Sequence, residues 1–299
     1  MNQHEPALDP PALSGDFTRP AAQSRAGSLP ALLIEPPRRW PTFDRRGLWT
    51  HRDLLLLLAW RDIKVRYQQT LLGAAWALLQ PLLTTVIFTL LFGKLARIPS
   101  DGAPYAIFAY AALLPWNLLS GAITNASSSL VSSPNLITKV YFPRLIIPSA
   151  ALGAPLLDCL IATLMLFGLM PWFGAAFSLR LLMLGPLLLL TLLLALGAGL
   201  WAAALNVKYR DVRYALPFVL QLWMYATPII YPLSIAPQRW RWILELNPLS
   251  GIIQNVRDAV FDRPFHWDAL GFSTVLAAAL LLIAIHIFQG MESEFADIV

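Results

Sequence analysis

The first candidates for chemistry in this 299-residue chain are the ionisable residues inside long apolar stretches. Asp158 lies within the apolar stretch 146–170, and His286 lies within the stretch 269–289. Because ionisable groups are costly in hydrocarbon, each suggests a proton relay or a transport pathway. The alternative is that each side chain joins two neighbouring helices. Neither stretch contains a Glu or a Lys beside these residues, so the sequence favours the packing role.

A second candidate is the segment 206–214, which carries Lys208, Arg210, Asp211 and Arg213 between two apolar stretches. Loops rich in Lys and Arg stay on the cytoplasmic side of a membrane. We therefore expect this segment to face the cytoplasm and a soluble partner there. Arg210 and Asp211 are expected to form an ion pair.

The usual motifs for ATP binding and metal catalysis are absent from the sequence. The Gly93-Lys94 pair ends an apolar stretch, and no Gly-x-x-x-x-Gly-Lys-Ser/Thr phosphate loop occurs anywhere. Cys159 is the single cysteine, and no His-Glu-x-x-His motif is present. The histidines are far apart, at His4, His51, His266 and His286. We therefore expect no catalytic residue, metal site or cofactor in this chain.

The composition excludes a soluble globular protein. Hydrophobic residues make up 57% of the chain and charged residues 13%, and the mean hydropathy is +0.60. A chain this apolar is typical of a membrane protein with several spans. The net charge of +5 would suggest nucleic acid in a soluble protein, but retention of basic loops in the cytoplasm accounts for it more simply. We expect a membrane partner and no nucleic acid.

Six apolar segments are long enough to cross a membrane, so the predicted fold is all-α with six transmembrane helices in a domain of residues 71–290. An even number of spans places both termini on one side. That side carries fifteen of the 22 Lys and Arg residues, which predicts that both termini are cytoplasmic. The predicted spans are 71–93, 105–129, 146–170, 181–205, 215–236 and 269–289.

The segments before the first span have two different characters. Residues 1–47 contain eight prolines and are predicted to be a disordered cytoplasmic tail. In residues 48–70, four apolar residues fall on one helical stripe and charged residues lie around it. This pattern favours an interfacial amphipathic helix, and the alternative is the end of a core helix. The stripe consists of Leu56, Trp60, Ile63 and Tyr67. Residues 291–299 are expected to form a short cytoplasmic tail.

Four motifs in order along residues 60–257 resemble the membrane subunits of ABC exporters for O-antigen and teichoic-acid polysaccharides. They are Trp60-Arg-Asp-Ile-Lys-Val-Arg-Tyr67 with Leu72-Gly-Ala-Ala-Trp76 and Leu79-Gln-Pro81, Lys139-Val-Tyr-Phe-Pro-Arg144 with Ile147-Pro148, Asn206 to Tyr214 with Pro217 and Phe218, and Asn247-Pro-Leu-Ser-Gly-Ile-Ile253. The resemblance implies a homodimeric permease of the inner membrane that exports a lipid-linked polysaccharide. It also implies two copies of a separate ATP-binding subunit, which holds the ATP and Mg.

The loop between the second and third predicted spans resembles the family's site of contact with the ATPase. Prolines bound the loop, which suits a short coupling helix held in a groove of the partner. The alternative is an ordinary connection between helices. The residues expected to couple are Pro134, Lys139, Tyr141, Phe142, Pro143 and Arg144.

Aromatic side chains are candidates for a path along which a sugar chain slides, because sugar CH faces stack on aromatic rings. The candidates are Trp76, Phe88, Phe92, Tyr110, Trp116, Trp201, Trp223 and Tyr225. The alternative is that they anchor the protein at the membrane surface, where Trp and Tyr gather in any membrane protein.

Cations near the cytoplasmic face are candidates for binding the pyrophosphate of the lipid carrier that the resemblance implies. They are Arg61, Lys64, Arg66, Lys208, Arg210 and Arg213. Retention of basic residues in the cytoplasm accounts for all six equally well.

Residues 237–267 mix Trp, Arg and Asp with apolar residues and are too polar to cross. One or two short helices at the external interface are predicted. The resemblance suggests a gate, and the alternative is a lid that does not move. The gate candidates are Trp240, Trp242, Asn247, Pro248 and Arg257.

Two other classes of function stay open from the residues alone. An export permease for capsule, lipid or drug would share the spans and the coupling loop. A membrane glycosyltransferase would need clustered carboxylates near the membrane surface, whereas Asp53 and Asp62 lie alone among basic residues.

Overall fold

The computed structural model describes residues 49–68, 75–140, 142–292 and 295. All of them belong to one compact unit, Pro41–Val299. Within these ranges the regular secondary structure is helical, without strands, and the all-α prediction is confirmed. The predicted disordered tail, residues 1–47, lies outside the described residues, as do residues 69–74.

Eleven α-helices follow one another along the described residues. They are α1 (Arg52–Gln68), α2 (Ala75–Phe88), α3 (Tyr105–Ser129), α4 (Pro134–Lys139), α5 (Ile146–Ala150), α6 (Gly153–Trp172), α7 (Leu184–Lys208), α8 (Val212–Ala226), α9 (Gln238–Glu245), α10 (Pro248–Val260) and α11 (Trp267–Met291). A π-helix, Thr89–Leu95, continues α2. Short 3-10 helices occur at Leu179–Met183 and Leu233–Ile235.

Five helical segments of the described chain are long and apolar enough to cross a membrane. They correspond to the first four predicted spans and the sixth. Their bounds are Ala75–Leu95, Tyr105–Ser129, Ile146–Trp172, Leu179–Lys208 and Trp267–Met291. The chain is therefore a multi-pass membrane protein.

The fifth predicted span, 215–236, is only partly helical. Helix α8 has 15 residues, which gives a length of about 22 Å against a hydrocarbon layer of about 30 Å. Thr227 is extended, with φ −100° and ψ 140°. The reason is Pro228, because the residue before a proline is pushed out of the helical region. Residues 227–230 then continue as buried, non-helical chain.

Helix α1 forms within the range predicted for the interfacial helix, and Tyr67 of the predicted stripe contacts Asp158 of α6. Leu56 and Trp60, two members of the predicted stripe, are 64% and 66% exposed. Leu58 is buried instead, and α1 packs on α5 and α6. Five consecutive leucines, 54–58, put apolar side chains on every side of the helix, so their spacing did not select the buried face.

Helix α3 is the centre of the bundle. Residues 107–116 are all buried, and α3 packs against α2, α6, α7 and α10. Small residues permit this close packing: a Cβ at Gly199 of α7 would lie 2.8 Å from the Cβ of Ala126. Likewise, a Cβ at Gly197 would lie 3.0 Å from the backbone of Leu281. Helix α7 is therefore held between α3 and α11 by glycines that larger side chains cannot replace.

Polar contacts define the two ends of the bundle. At one end, Arg144 donates hydrogen bonds to Glu292, near the C-terminus of α11. We call this the termini end, and it includes α1, α4 and the segment 206–214. At the other end, Asp101 accepts a hydrogen bond from the Ser234 hydroxyl at 2.7 Å, and Arg180 forms an ion pair with Asp262. We call this the distal end.

Helix α10 lies inside the protein, whereas the sequence predicted short helices at the interface for residues 237–267. Eleven of its 13 residues are buried, and it packs on α3, α7 and α11. Apolar residues recur at helical spacing from Leu249 through Ile253 to Val260, which supplies the face that is buried. Only α9 agrees with the predicted surface position, since every residue from 238 to 243 is exposed.

Arg257 of α10 donates a hydrogen bond to the backbone that follows the end of α8. Its side chain is 2% exposed, and its guanidinium carbon lies 3.5 Å from the centre of the Phe108 ring. Nη2 donates to the Ile229 carbonyl at 2.7 Å, and Nε donates to the Phe108 carbonyl at 3.3 Å. The Tyr105 hydroxyl donates to the Ile230 carbonyl at 2.8 Å. Non-helical chain is stable within a membrane protein only when its backbone groups are paired in this way.

The Arg257→Ala variant is expected to lose about 3 kcal/mol of unfolding free energy, because two buried carbonyls lose donors and a cavity forms. The matched control is Arg239→Ala on α9, where the side chain is exposed and the expected loss is below about 0.5 kcal/mol. Thermal unfolding of both purified variants in detergent measures the difference. Equal melting temperatures would contradict the assigned role of Arg257.

Candidate functional site

A cavity of about 320 Å³ lies beneath α1 and is bounded by α1, α2, α3 and α6. We call it the α1 cavity. The end of α1 and the first turns of α2 and α6 contribute to its lining. Its polar lining consists of Arg66, Tyr67, Gln80, Asn117, Ser120 and Asp158.

An ion pair closes one wall of the α1 cavity. Nη2 of Arg66 lies 2.6 Å from Oδ2 of Asp158, and the Tyr67 hydroxyl donates a hydrogen bond to Oδ1 of the same carboxylate. Burial, together with Asp158, raises the pKa of Tyr67 to about 12, so the hydroxyl stays protonated and donates. Asp158 therefore joins α6 to α1, in keeping with the packing role. His286 lies at the surface of α11.

Two of the eight candidate aromatic residues line the α1 cavity. Trp76 is 52% exposed at its edge, and Tyr110 is buried with its hydroxyl donating to the Ala162 carbonyl at 2.9 Å. Trp76 offers a ring on which a sugar can stack, beside amide and hydroxyl groups that form hydrogen bonds with sugar hydroxyls. The arrangement suits a polar, sugar-like headgroup.

The other six aromatic residues are spread over the molecule. Trp116 is buried in the core, with its ring 6.4 Å from that of Trp223. Phe88 and Phe92 pack edge to face at 5.5 Å. Trp201 and Tyr225 are about half exposed, on α7 and α8. These six residues do not form one continuous surface with Trp76 and Tyr110 within the described protomer.

A second depression, of about 550 Å³, adjoins the α1 cavity on the side of the termini end. Arg66 lines both depressions. The second one is lined mainly by the C-terminal part of α3 and the polar face of α1, and we call it the serine groove. Its polar residues are Arg61, Asp62, Arg66, Asn125, Ser128, Ser129, Ser132 and Ser133.

Sequence reasoning missed most of the polar side chains in these two depressions. A signal was present: from Asn117 to Ser128 of α3, polar or small residues recur every three or four positions in an otherwise apolar helix. This spacing puts them on one face. The partner of that face was not recognised, because α1 lies more than fifty residues away in the sequence.

The six candidate cations occupy two places at the termini end. Arg61 and Arg66 line the serine groove, and Lys64 is exposed on α1. Arg61 is paired with Asp62 at 2.8 Å. Lys208, Arg210 and Arg213 are exposed between α7 and α8.

The expected ion pair between Arg210 and Asp211 is wrong. No ion pair involving either side chain is found within the described residues. The two residues are neighbours in the turn between α7 and α8, where an ion pair between exposed side chains would contribute little stability. Both side chains are exposed to the surroundings instead.

The candidate coupling segment has a short helix, as expected. Helix α4 begins at Pro134 and ends at Lys139, whose side chain is exposed. Ile137 and Phe142 are buried in a cluster that also contains Leu58 of α1 and Phe288 of α11. The segment is thereby fixed to two other elements while its polar side faces outward. Arg144 is bound to Glu292, Pro143 is partly buried, and Tyr141 lies outside the described residues.

The five gate candidates separate into two groups. Asn247 caps α10 by accepting from the backbone N–H of Leu249, accepts from Trp223 Nε1 at 3.1 Å, and donates to Thr227 Oγ1 at 2.8 Å. Pro248 is the first residue of α10 and Arg257 lies deep within it. These three residues form the junction of α8 with α10. Trp240 and Trp242, on α9, are 53% and 57% exposed.

The apolar helices and the polar cavity beneath α1 define a multi-pass membrane protein with a candidate binding site. The sequence profile of the ABC-2 type transporter family matches residues 53–261. The chain belongs to the ABC-2 type transporter family.

Named relatives align with most of the chain. It is 29% identical over 256 residues to the O-antigen export system permease protein RfbA of Myxococcus xanthus, with 84% of this chain and 97% of the relative covered. Identity with the RfbA protein of Klebsiella pneumoniae is 26% over 252 residues, with coverage of 82% and 95%. The polysialic acid transport protein KpsM of Escherichia coli is 26% identical over 224 residues, with coverage of 72% and 84%.

The Arg66–Asp158 contact is expected to show a coupling energy of about 1 kcal/mol in a double-mutant cycle, since the pair is partly exposed. The variants are Arg66→Ala, Asp158→Ala and the double substitution, each measured by thermal unfolding in detergent. The control cycle uses Arg241 and Glu245, an exposed pair on α9 at 3.4 Å, for which about 0.3 kcal/mol is expected. Full additivity at Arg66 and Asp158 would show that the pair does not hold α1 to α6.

Proposed function

We propose that this chain is the permease subunit of an ATP-driven exporter that moves a lipid-linked polysaccharide, similar to O-antigen, from the cytoplasm across the inner membrane. The observation that carries the proposal is the family match over residues 53–261. Further support comes from relatives named O-antigen export permeases, which are covered over 95% and 97% of their own lengths.

A separate ATP-binding subunit supplies the energy in this proposal. The sequence has no phosphate loop, so ATP and Mg are bound by the partner. The exposed side of α4, with Lys139, is the surface that receives the partner's movement. Ile137 and Phe142 pass that movement on, because they pack against side chains of α1 and α11.

The permease acts as a homodimer that binds two copies of the ATPase. Helices α2 and α8 supply the surfaces for this assembly, since both expose large apolar side chains such as Leu83, Val86, Phe218 and Leu222. A single protomer leaves these helices at its edge. A second protomer beside them would enclose a path for the sugar chain between the two copies.

The termini end faces the cytoplasm in this proposal. Within the described residues it carries nine Lys and Arg residues against seven at the distal end, and residues 1–48 add further basic side chains. Of the seven distal cations, Arg257 is buried and paired within the fold, so it does not oppose this orientation. Both termini are then cytoplasmic.

The α1 cavity and the serine groove receive the headgroup of the lipid-linked substrate. Arg61, Lys64 and Arg66 offer positive charge to the pyrophosphate, and Trp76 offers a ring to the first sugar. Arg66 is already paired with Asp158. An arriving anion therefore competes with Asp158 for Arg66, which would loosen α1 from α6 at the moment of loading.

A capsule-type polysaccharide is the second candidate substrate. The similarity to a polysialic acid transport protein over 72% of the chain favours it. Both candidates are long glycans, and the same partner and the same coupling segment serve either one.

Tagged protein purified from its native cells is expected to bring down an ATPase subunit that hydrolyses ATP in the purified complex. Replacement of Lys139–Arg144 by a Gly-Ser linker of equal length is expected to release that subunit, because it removes the exposed end of α4 and the buried Phe142. Mass spectrometry and ATP hydrolysis of the eluate measure both effects.

The matched control replaces residues 173–178, at the distal end, by a linker of the same length. This variant is expected to retain the ATPase. Failure of the unaltered protein to retain an ATPase would contradict the proposal, and so would full retention by the Lys139–Arg144 variant.

A further inference from the structure

A polar pocket of about 250 Å³ lies at the distal end of the bundle, far from the α1 cavity. Five elements meet around it: the loop before α3, the 3-10 helix Leu233–Ile235, α9, α10 and the start of α11. We call it the distal pocket. The polar side chains that line it are Asp101, Ser234, Arg241, Glu245, Ser250, Gln254 and His266.

Contacts within the protein hold these side chains in place but leave hydrogen-bonding capacity open. Asp101 accepts from Ser234 at 2.7 Å, and Arg241 pairs with Glu245 at 3.4 Å. Nδ1 of His266 lies 2.8 Å from Oδ2 of Asp258, which itself is 1% exposed. The second ring nitrogen of His266 and the side-chain oxygen of Gln254 have no partner among the described residues.

Ser250 gives an independent indication of a ligand. It lines the pocket, is 2% exposed, and its hydroxyl has no hydrogen-bond partner within the described part of the chain. Buried hydroxyl groups nearly always have partners, since an unpaired one loses its hydration without compensation. A group that enters the pocket and bonds to Ser250 would remove this deficit.

The mixture of charges decides the class of ligand. Two carboxylates disfavour phosphate and other anions, and no three His, Cys, Asp or Glu residues converge as metal ligands within the described residues. Seven of its ten lining residues are polar, so a wholly apolar ligand would leave their side chains without hydrogen-bond partners. Carboxylate and amide oxygens accept from hydroxyl groups, and Arg241 donates to them. A neutral molecule with several hydroxyl groups matches this set of donors and acceptors.

Helix α9 also presents aromatic rings beside the distal pocket. A neighbouring face of the same helix borders an apolar cleft of about 390 Å³ that contains Tyr231 and Trp240. Aromatic faces adjacent to a hydroxyl-binding pocket are typical of sites that contact successive sugar rings. The two depressions therefore offer polar and stacking contacts within one short helix.

We propose that the distal pocket binds a single neutral sugar unit, and that in the exporter it holds the glycan as it leaves the protein. The second part rests on the proposed function, whereas the binding of a sugar unit does not. The contact is weak, because a chain that is to pass through cannot be held tightly at any one unit. Glu245, Gln254 and Ser250 are the residues that bind the sugar hydroxyls.

Saturation-transfer NMR on the full-length protein in lipid nanodiscs tests the pocket. The probes are the methyl glycosides of glucose, mannose, galactose, rhamnose and N-acetylglucosamine, with inorganic phosphate as the anionic control. At least one glycoside is expected to bind saturably. Glu245→Ala and Gln254→Leu are each expected to weaken that binding by about fivefold, the effect of one lost hydrogen bond.

The control variant Arg239→Gln lies on the same helix outside the pocket and is expected to bind as the unaltered protein does. Glu245 is exposed, so its variant keeps the test valid if Gln254→Leu does not fold. Absence of saturable binding by every glycoside would overturn the proposal. Unchanged binding in both variants, binding of phosphate alone, or equal loss in Arg239→Gln would also overturn it.

The same preparations separate the two proposals. Retention of the ATPase without glycoside binding would remove the distal pocket's role and leave the exporter function standing. Glycoside binding without any associated ATPase would remove the exporter function and leave the sugar site standing.

Discussion

The break after α8 imposes the main constraint on this structure. A helix that stops within a membrane protein leaves carbonyl groups that only other protein groups are able to satisfy. Arg257 meets this need by donating to Ile229 and Phe108 while its guanidinium lies on the Phe108 ring. Helix α10 must be buried to bring Arg257 there. The position of α10 then determines where α9, the α8 junction and the distal pocket lie.

The central helix α3 connects the polar regions at the two ends. Near the termini end its polar face forms walls of the α1 cavity and the serine groove. Toward the distal end, the Phe108 carbonyl and ring receive Arg257. A movement of α1 or α4 therefore has a short route, through tightly packed helices, to the junction of α8 and α10. The proposed exporter would need such a route in order to alternate between two states.

Sequence patterns predicted the elements that depend on local information. Long uncharged runs predicted the five helices that are able to cross, and Pro134 predicted the start of α4. Contacts between residues far apart in the sequence could not be predicted. The partner of Asp158 is Arg66, and no residue near either one identifies the other. The polarity of residues 237–267 masked the apolar face of α10, because Trp, Arg and Asp are mixed with apolar residues throughout the segment. Helix α8 is short because Pro228 keeps Thr227 out of the helical region, and the predicted span 215–236 did not take this effect into account.

In the proposed function, this permease moves a lipid-linked glycan with energy from a separate ATPase. Its most direct test is transport by purified permease and ATPase together in proteoliposomes that contain the lipid-linked glycan, with the ATPase on the outer face. The glycan is expected to become inaccessible to an external glycosidase only when ATP is added. A permease in which the Gly-Ser linker replaces Lys139–Arg144 is expected not to protect the glycan. Equal protection without ATP, or with the ATPase omitted, would contradict it.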